Sequence, residues 1–345
     1  MKKIFKSQIN SIIKEFKNTN KKSCFFFGNT SKKENNNFYI SEIRENSKYK
    51  YAVGVFFNNK SVESIAKIID GKVDLILVDT EKKVVSKDKS EIVNIEKVVK
   101  QSIKSTKVFV YKGNDLTVQA ADTFLNNYFL KDIRGLGGKK ILILGTGNIG
   151  SKLGLKLVES GANVYLHRRN KEKLNSIIKN INIVLPAGTA AKSKKFLFKN
   201  GFNKYDVIIG CTDGKPVINE TIVKKISPKC IILDIGKGIF TSKGMQHAIR
   251  SKLKMFRLDV SPAFNAYLEN INSTTKLINS FTQNYRYEKN LKLIQRGILG
   301  DKGYVIVDNV QKPRKVYGVT DGFGGIKKVN FTQLQKLKKR ILKLK

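Results

Sequence analysis

Apolar and polar positions fall into alternating blocks along the chain. Cys24 to Gly28 (CFFFG), Tyr51 to Phe57 (YAVGVFF) and Val73 to Val78 (VDLILV) are apolar runs of strand length, uninterrupted enough to be buried on both faces. Between the second and third, Val62, Ile65, Ile68 and Ile69 keep a helical period. Strand and helix in alternation predict a mostly parallel sheet. A strand pair is expected next, Lys107 to Tyr111 with Leu116 to Gln119, turning at Gly113-Asn114-Asp115. Asp122 then opens a helical stretch through Phe124, Leu125, Tyr128 and Phe129, which ends at the glycine-rich Gly135 to Gly138, a hinge or boundary.

The alternation restarts at Lys140. Ile141 to Leu144 reads as a strand, Asn148 to Ser160 as a helix, Asn163 to Leu166 as a strand and Lys171 to Lys179 as a helix. Val207 to Gly210, Cys230 to Asp234 and Met255 to Val260 supply later strands. Beyond Pro262 the pattern gives a helix, a short strand at Tyr304 to Val307, a loop holding Gly318, Gly322, Gly324 and Gly325, and a basic tail. The fold class is therefore α/β. The expected division is an N-terminal substrate domain with a mixed sheet (1–122), a dinucleotide-binding Rossmann domain (123–260) and a helical and loop extension (261–345).

Composition narrows the chemistry. The 345 residues carry 67 Lys and Arg against 27 Asp and Glu, a formal charge of +40, and 41% are hydrophobic, enough for real cores. A basic surface gathers phosphate, but the excess is mostly Lys spread over the whole chain, which a compositional bias of the source genome also produces. Cys24, Cys211 and Cys230 have no CxxC spacing, which argues against a disulfide framework or a zinc ribbon. With only His167 and His247, neither a His-rich metal centre nor a Ser/His/Asp triad has its material, and no metal is expected. The first ten residues do not read as a secretory signal, and no run approaches the ~20 apolar residues of a spanning helix, so a cytoplasmic location is expected.

The sharpest motif is Gly145-Thr146-Gly147-Asn148-Ile149-Gly150, between the strand KILIL and a helix. The first glycine turns tightly, the second admits a pyrophosphate, and the third packs helix on strand. At the end of the next strand, where a carboxylate would mark NAD, the chain reads His167-Arg168-Arg169-Asn170-Lys171. Guanidiniums there favour the 2′-phosphate of NADP; the bland alternative is one more solvated basic cluster. Thr212 and Asp213 follow the strand at Val207 to Gly210, at the carboxyl edge where open α/β sheets bind ligands, and either touch the nicotinamide half or form an Asp-Gly turn. Cys211 precedes them and is expected to be a small buried residue rather than a nucleophile.

Several segments together resemble the shikimate dehydrogenase family and its relatives over roughly residues 20–260. Val108 to Asp122 (VFVYKGNDLTVQAAD) is similar to the family's hairpin ending in Asn-Thr-Asp, and Gly145 follows Asp122 by 23 residues. His167 to Leu174 (HRRNKEKL) resembles the clasp on the NADP phosphate, and Asp206 to Thr212 (DVIIGCT) the strand and loop under the nicotinamide. Asp234, Thr241 and Ala248 keep a further spacing of the family. The resemblance implies an NADP-dependent oxidoreductase in which a Lys and an Asp share proton transfer. By position these are Asp122 with Lys82 or Lys83; otherwise Asp122 caps a helix and the lysines lie in a solvated turn.

The departures are specific. The loop Gly28 to Asn37 holds Ser31 alone where the family has Ser-x-Ser, the Val-Pro-Phe before the catalytic Lys is replaced by Val78-Asp-Thr-Glu-Lys82-Lys83, and Ala120 stands for the Asn of Asn-Thr-Asp. Residues 261–345 have no counterpart. Shikimate itself is therefore not the expected substrate; a small anionic hydroxy or keto compound is. Two rival readings remain: a nucleotide-sensing Rossmann protein without turnover, and a nucleic-acid-binding protein. A homodimer is left open. The tail, Lys327 to Lys345, has eight basic and no acidic residues, with Phe331, Leu334, Leu337, Ile341 and Leu344 at helical spacing. It either packs on the body or, less favoured, meets acidic lipid or nucleic acid.

Overall fold

The computed structural model describes residues 2–30, 38–83, 93–282, 285–288, 290–327 and 329–342. By compactness the chain divides into two units, Met1–Asn265 and Ala266–Lys345.

The first half of unit 1 runs α1 (Lys2–Lys17), β1 (Lys22–Gly28), β2 (Phe38–Ile40), β3 (Arg44–Glu45), β4 (Tyr49–Phe56), α2 (Asn59–Ile69), β5 (Leu75–Asp79), α3 (Ile95–Ser102), β6 (Lys107–Tyr111) and α4 (Gly113–Tyr128). Its sheet is mixed. The order is β2-β4-β1-β5-β6, with β4, β1, β5 and β6 parallel and β2 and β3 antiparallel on β4. β1 is buried on both faces, as its unbroken apolar run requires. Phe25 and Phe27 enter a core with Ile9, Ile12 and Phe16 of α1, Val62 and Ile65 of α2 and Val99 of α3. Phe26, on the other face, meets the Tyr51, Tyr111 and Phe264 rings at 5.5, 5.5 and 4.8 Å.

The second half continues with β7 (Lys140–Leu144), α5 (Asn148–Glu159), β8 (Asn163–His167), α6 (Lys171–Ile183), β9 (Ser193–Lys195), β10 (Val207–Gly210), α7 (Glu220–Val223), β11 (Ile231–Asp234), α8 (Ser242–Arg250), β12 (Lys254–Arg257) and α9 (Ser261–Asn279), which crosses the unit boundary. The strand order β12-β11-β10-β7-β8-β9 is parallel throughout. Numbered from β7, that is the 3-2-1-4-5-6 order of a doubly wound dinucleotide fold. The expected α/β class, a mixed-sheet half followed by a Rossmann half, is the architecture observed.

Two expectations are corrected. The hairpin over 107–119 is not formed, because Leu116 to Gln119 belong to α4 and bury Leu116, Val118, Ala120, Ala121 and Leu125 along one helical stripe. Gly113-Asn114-Asp115 is thus a helix start, and Asp122 lies mid-helix rather than at a cap. α4 runs on through residue 122, so one helix joins the two halves of unit 1.

The second concerns residues 261–345, expected as helix and loop around one short strand at Tyr304 to Val307; that strand is present over Val305–Val307. Unit 2 instead builds a five-stranded sheet, β13 (Tyr285–Glu288), β14 (Leu291–Gln295), β15 (Val305–Val307), β16 (Val316–Thr320) and β17 (Ile326–Lys327). Gly318 lies inside β16 because a side chain there would meet Ile326 at 2.5 Å; its glycine is a packing requirement, not a loop signal. The tail helix α10 (Phe331–Leu342) sets Leu334, Leu337 and Ile341 against Leu291, Leu293, Val305, Val307 and Val316. Packing on the body is the outcome observed for its apolar face; Leu344 lies outside the described residues.

Candidate functional site

In each half of unit 1 the sheet has a point where successive connections leave in opposite directions, and ligands of open α/β sheets gather at the carboxyl ends of strands there. In the Rossmann half this point lies between β7 and β10. Gly145 follows β7 with φ 102°, a left-handed conformation suited to glycine, and a Cβ on it would meet Cys211 O at 2.6 Å and Thr212 N at 2.9 Å. Gly150 presses on the same turn, since its Cβ would come 2.1 Å from Gly145 O. A Cβ at Gly147 would have nothing within 4 Å. The three glycines therefore divide as the motif requires: tight turn, open approach, helix against strand.

Gly147 is also the N-cap of α5, and no side chain caps that end. The free N–H groups of Asn148, Ile149 and their neighbours make the helix start an anion site. Thr146 is buried, with its hydroxyl 3.4 Å from His167 O. The Thr212 hydroxyl is buried without a hydrogen-bond partner, an unsatisfied donor and acceptor beside the glycine turn. An open approach, uncapped N–H groups and an orphaned hydroxyl fit the pyrophosphate and nicotinamide halves of a dinucleotide.

The basic cluster sits at the end of β8. Arg168 is half-buried and its guanidinium donates to Thr146 O, so it braces the glycine loop. Arg169 and Lys171 are exposed. Asn170 caps α6 by accepting the Lys173 N–H at 2.8 Å. The His167 ring stands edge-on to Phe198 at 4.9 Å, and burial lowers its pKa below the ordinary value. Burial, with the charge of Asp234 behind it, pushes the Cys211 thiol up to about 12, the direction away from a reactive thiolate. Asp234 in turn accepts the backbone N–H groups of Lys237, Gly238 and Ile239, fixing the turn beside Thr212.

The corresponding point of the N-terminal sheet lies between β1 and β5. Asp79, at the end of β5, has a side chain 1% exposed and accepts from Lys83 Nζ at 2.7 Å. Lys83 is also 2.9 Å from Glu81. Asn29, just past β1, donates its amide to Glu81 O, while its Oδ1 is buried and unpartnered. Tyr111 borders the group and is fully buried; burial first, then the charges of Asp79 and Glu81, raise its pKa well above the ordinary value. The two carboxylates also receive the start of α4: Gly113 N–H donates to Asp79 at 3.3 Å and Asn114 N–H to Glu81 at 2.7 Å.

The two strand-end sites are linked through α4 and α5. Asp115, in the first turn of α4, pairs with Lys152 of α5 at 2.5 Å. One continuous series of contacts thus runs from the helix behind the glycine loop to Glu81, Lys83 and Asp79. Asp122 is not brought to this group. It lies about 13 Å down α4 from Gly113 at 1.5 Å per residue, paired with Lys156 at 3.5 Å and bonded by Asn126 at 3.1 Å. Lys82 is exposed. Ser31 lies outside the described residues. The residues missed in the sequence are Asp79, Glu81 and Asn29; the signal for them was their place just after two apolar strands.

Among the described residues no helix is long and apolar enough to cross a membrane. Residues 140–211 match the family model described as NADP oxidoreductase, coenzyme F420-dependent. A search of curated protein sequences gives no match. Among solved structures, a dipicolinate synthase chain from Bacillus halodurans is 14% identical, covering 70% of this chain and 91% of its own, at a TM-score of 0.34. A shikimate dehydrogenase in complex with NADP+ is 14% identical, covering 73% and 96%, at a TM-score of 0.39. A D-isomer specific 2-hydroxyacid dehydrogenase from Lactobacillus delbrueckii ssp. bulgaricus, NAD complexed, is 12% identical, covering 57% and 62%, at 0.33. Residues 140–211 are thus similar to an NADP oxidoreductase domain, and the strand order around the glycine loop is that of a doubly wound dinucleotide fold.

Proposed function

We propose that the protein is an NADP-dependent oxidoreductase that interconverts the hydroxyl and carbonyl forms of a small anionic compound. The observation carrying this reading is the open approach at Gly147 over the uncapped start of α5, placed where the strand order reverses. A bound NADP supplies the hydride or accepts it. The N–H groups at the start of α5 hold the pyrophosphate, Arg169 and Lys171 grip the 2′-phosphate, and Arg168 keeps the loop in shape. Thr212, with Cys211 and Asp213 beside it, borders the nicotinamide, and the Thr212 hydroxyl bonds the carboxamide.

Lys83 moves the proton. Its ammonium, held by Asp79 and Glu81, donates to the substrate oxygen as that oxygen gains charge in reduction, and the free amine takes the proton back in the reverse direction. Asn29 Oδ1 accepts a substrate hydroxyl, which relieves its unpartnered burial. The exposed Lys82 and Lys112, which follow adjacent parallel strands, meet the anionic end of the substrate.

The test is loss of reduced-nicotinamide absorbance over a panel of small keto acids and their neutral analogues, with NADPH and with NADH. Turnover of a keto acid with NADPH, abolished in Lys83→Met, is the expected result. NADPH binding without turnover of any compound would favour the nucleotide-sensing reading.

A further inference from the structure

The sheet of unit 2 is covered on one face by α10; on the other, Ile294 and Thr320 are buried, with Gly300 packed on Ile294, and the face opens at the β13 edge. α10 packs on the side formed by Leu291, Leu293, Val305, Val307 and Val316. Residues paired across a sheet share a face, and neighbours along a strand alternate. Tyr287 pairs with Lys292, and Tyr285 stands two residues before Tyr287, so all three lie on the side away from α10. Tyr304, entering β15, joins them: its ring is 5.6 Å from Tyr285 and 6.0 Å from Tyr287, at 66° and 70°. Lys292 Nζ lies 5.8 Å over the Tyr304 ring. Further along the same face Ile306 pairs with Gly318, and the Ile326 side chain fills the space over that glycine, which bounds the open part of the face.

The hydroxyls are tethered, and the Tyr285 and Tyr287 rings are left to solvent while Tyr304 is half-buried between them. Tyr285 OH donates to Leu299 O at 2.9 Å, and the Tyr287 and Tyr304 hydroxyls bond each other. Tyr285 is 45% exposed and Tyr287 64%. These are rigid aromatic platforms that a buried structural role would not leave open.

Charge identifies what suits them. Residues 266–345 contain seventeen Lys and Arg against five Asp and Glu. Glu288 is held by Arg286 on the opposite side of β13, and Asp308 and Asp321 accept loop N–H groups. Asp301, at the rim beside Tyr304, accepts the Lys302 N–H. Lys292 and Arg296 lie over rings, Tyr304 and Tyr317. Open rings interleaved with cations suit an anionic polymer with flat faces. A second copy of the chain would bring the same positive charge to this face, and a duplex hides its bases from such platforms.

We propose that this open face binds single-stranded nucleic acid, with bases stacked on Tyr285, Tyr287 and Tyr304 and phosphates met by Lys292 and Lys302. The site is built from residues of unit 2 alone and stands whether or not the oxidoreductase reading holds. The test is fluorescence anisotropy of the full chain with labelled oligouridylate and oligothymidylate of about 12 nucleotides, within the usual site size of ~4–16. A duplex of equal length and inorganic polyphosphate serve as competitors.

Binding of either single strand in preference to the duplex supports the proposal, and the stronger of the two says whether RNA or DNA is taken. Tyr287→Ala weakens it by about 5- to 100-fold, the range for loss of one stacked base. Tyr287→Phe keeps the platform and the affinity within about twofold. Lys292→Ala lowers the slope of log K against log salt by about 0.7. Excess NADPH leaves binding unchanged. Equal affinity for duplex, full displacement by polyphosphate with Tyr287→Ala silent, competition by NADPH, or no binding at low salt would each overturn it.

Discussion

Arg168 and Arg169 are neighbours with the same side chain and different work. Arg168 donates to Thr146 O and so supports the glycine loop itself, whereas Arg169 is exposed beyond the strand end. Arg168→Ala is therefore expected to weaken NADPH and NADH alike, and Arg169→Ala to weaken NADPH alone, by about tenfold for one charge-assisted contact of ~1.5 kcal/mol; titration calorimetry of both variants with both nucleotides separates the two. Lys83 makes a second residue-scale case, because its partner Asp79 is almost wholly buried. Lys83→Met should cut turnover by about 10²–10⁴-fold, as loss of a proton-transferring group does. Breaking the pair should also cost about 3–5 kcal/mol of stability, read by denaturant unfolding, while NADPH still raises the melting temperature. The basic cluster was legible in the sequence because the glycine loop fixes its distance. The Lys83 group was legible only in part: Lys83 was singled out, but its partner was sought at Asp122, and the carboxylates that meet it are two and four residues away.

At the scale of elements, the loop from β7 into α5 gives opposite expectations for two glycines. A side chain at Gly147 meets nothing, so Gly147→Ala should melt within a degree or two of the parent yet lose nucleotide binding. Gly150→Ala drives a methyl into Gly145 O and should lose about 1–3 kcal/mol; thermal melts with and without NADPH distinguish them. Strands such as Val207–Gly210 and helices such as Asn148–Glu159 were readable because an unbroken apolar run or a 3.6-residue period survives burial on one or two faces. α4 was misread as a hairpin because Gly113-Asn114-Asp115 is locally a turn sequence. What makes it a helix start is distant, the carboxylates of Asp79 and Glu81 taking its first N–H groups. β16 reads as loop for the mirror reason, since Gly318 is set both by its φ of 156° and by Ile326 on the next strand, and neither is a turn. α1 (Lys2–Lys17) carried a helical pattern that its many lysines obscured.

Over the whole of unit 1, the three thiols are placed to report unfolding. Burial is the first cause that pushes Cys24, Cys211 and Cys230 up to about 12, so none should react with a thiol reagent at pH 8 until the chain unfolds, when all three do; mass-shift counting with and without denaturant checks this. The same shifts set a sign. A thiol whose folded pKa lies above its unfolded value favours the fold at neutral pH, and that contribution falls away as pH rises from about 9 toward 12. The charge of +40 resolves differently in different regions. In the Rossmann half Arg168, Arg169 and Lys171 stand together at one strand end, whereas in residues 266–345 Lys292 and Arg296 lie over the rings of Tyr304 and Tyr317. The central claim is that the loop at Gly145–Gly150 takes a dinucleotide and that the cations after β8 choose NADP. Titration calorimetry of the full chain with NADPH and NADH side by side tests it most directly. Tenfold or tighter binding of NADPH is the result predicted; equal or tighter binding of NADH, or binding of neither, would contradict it.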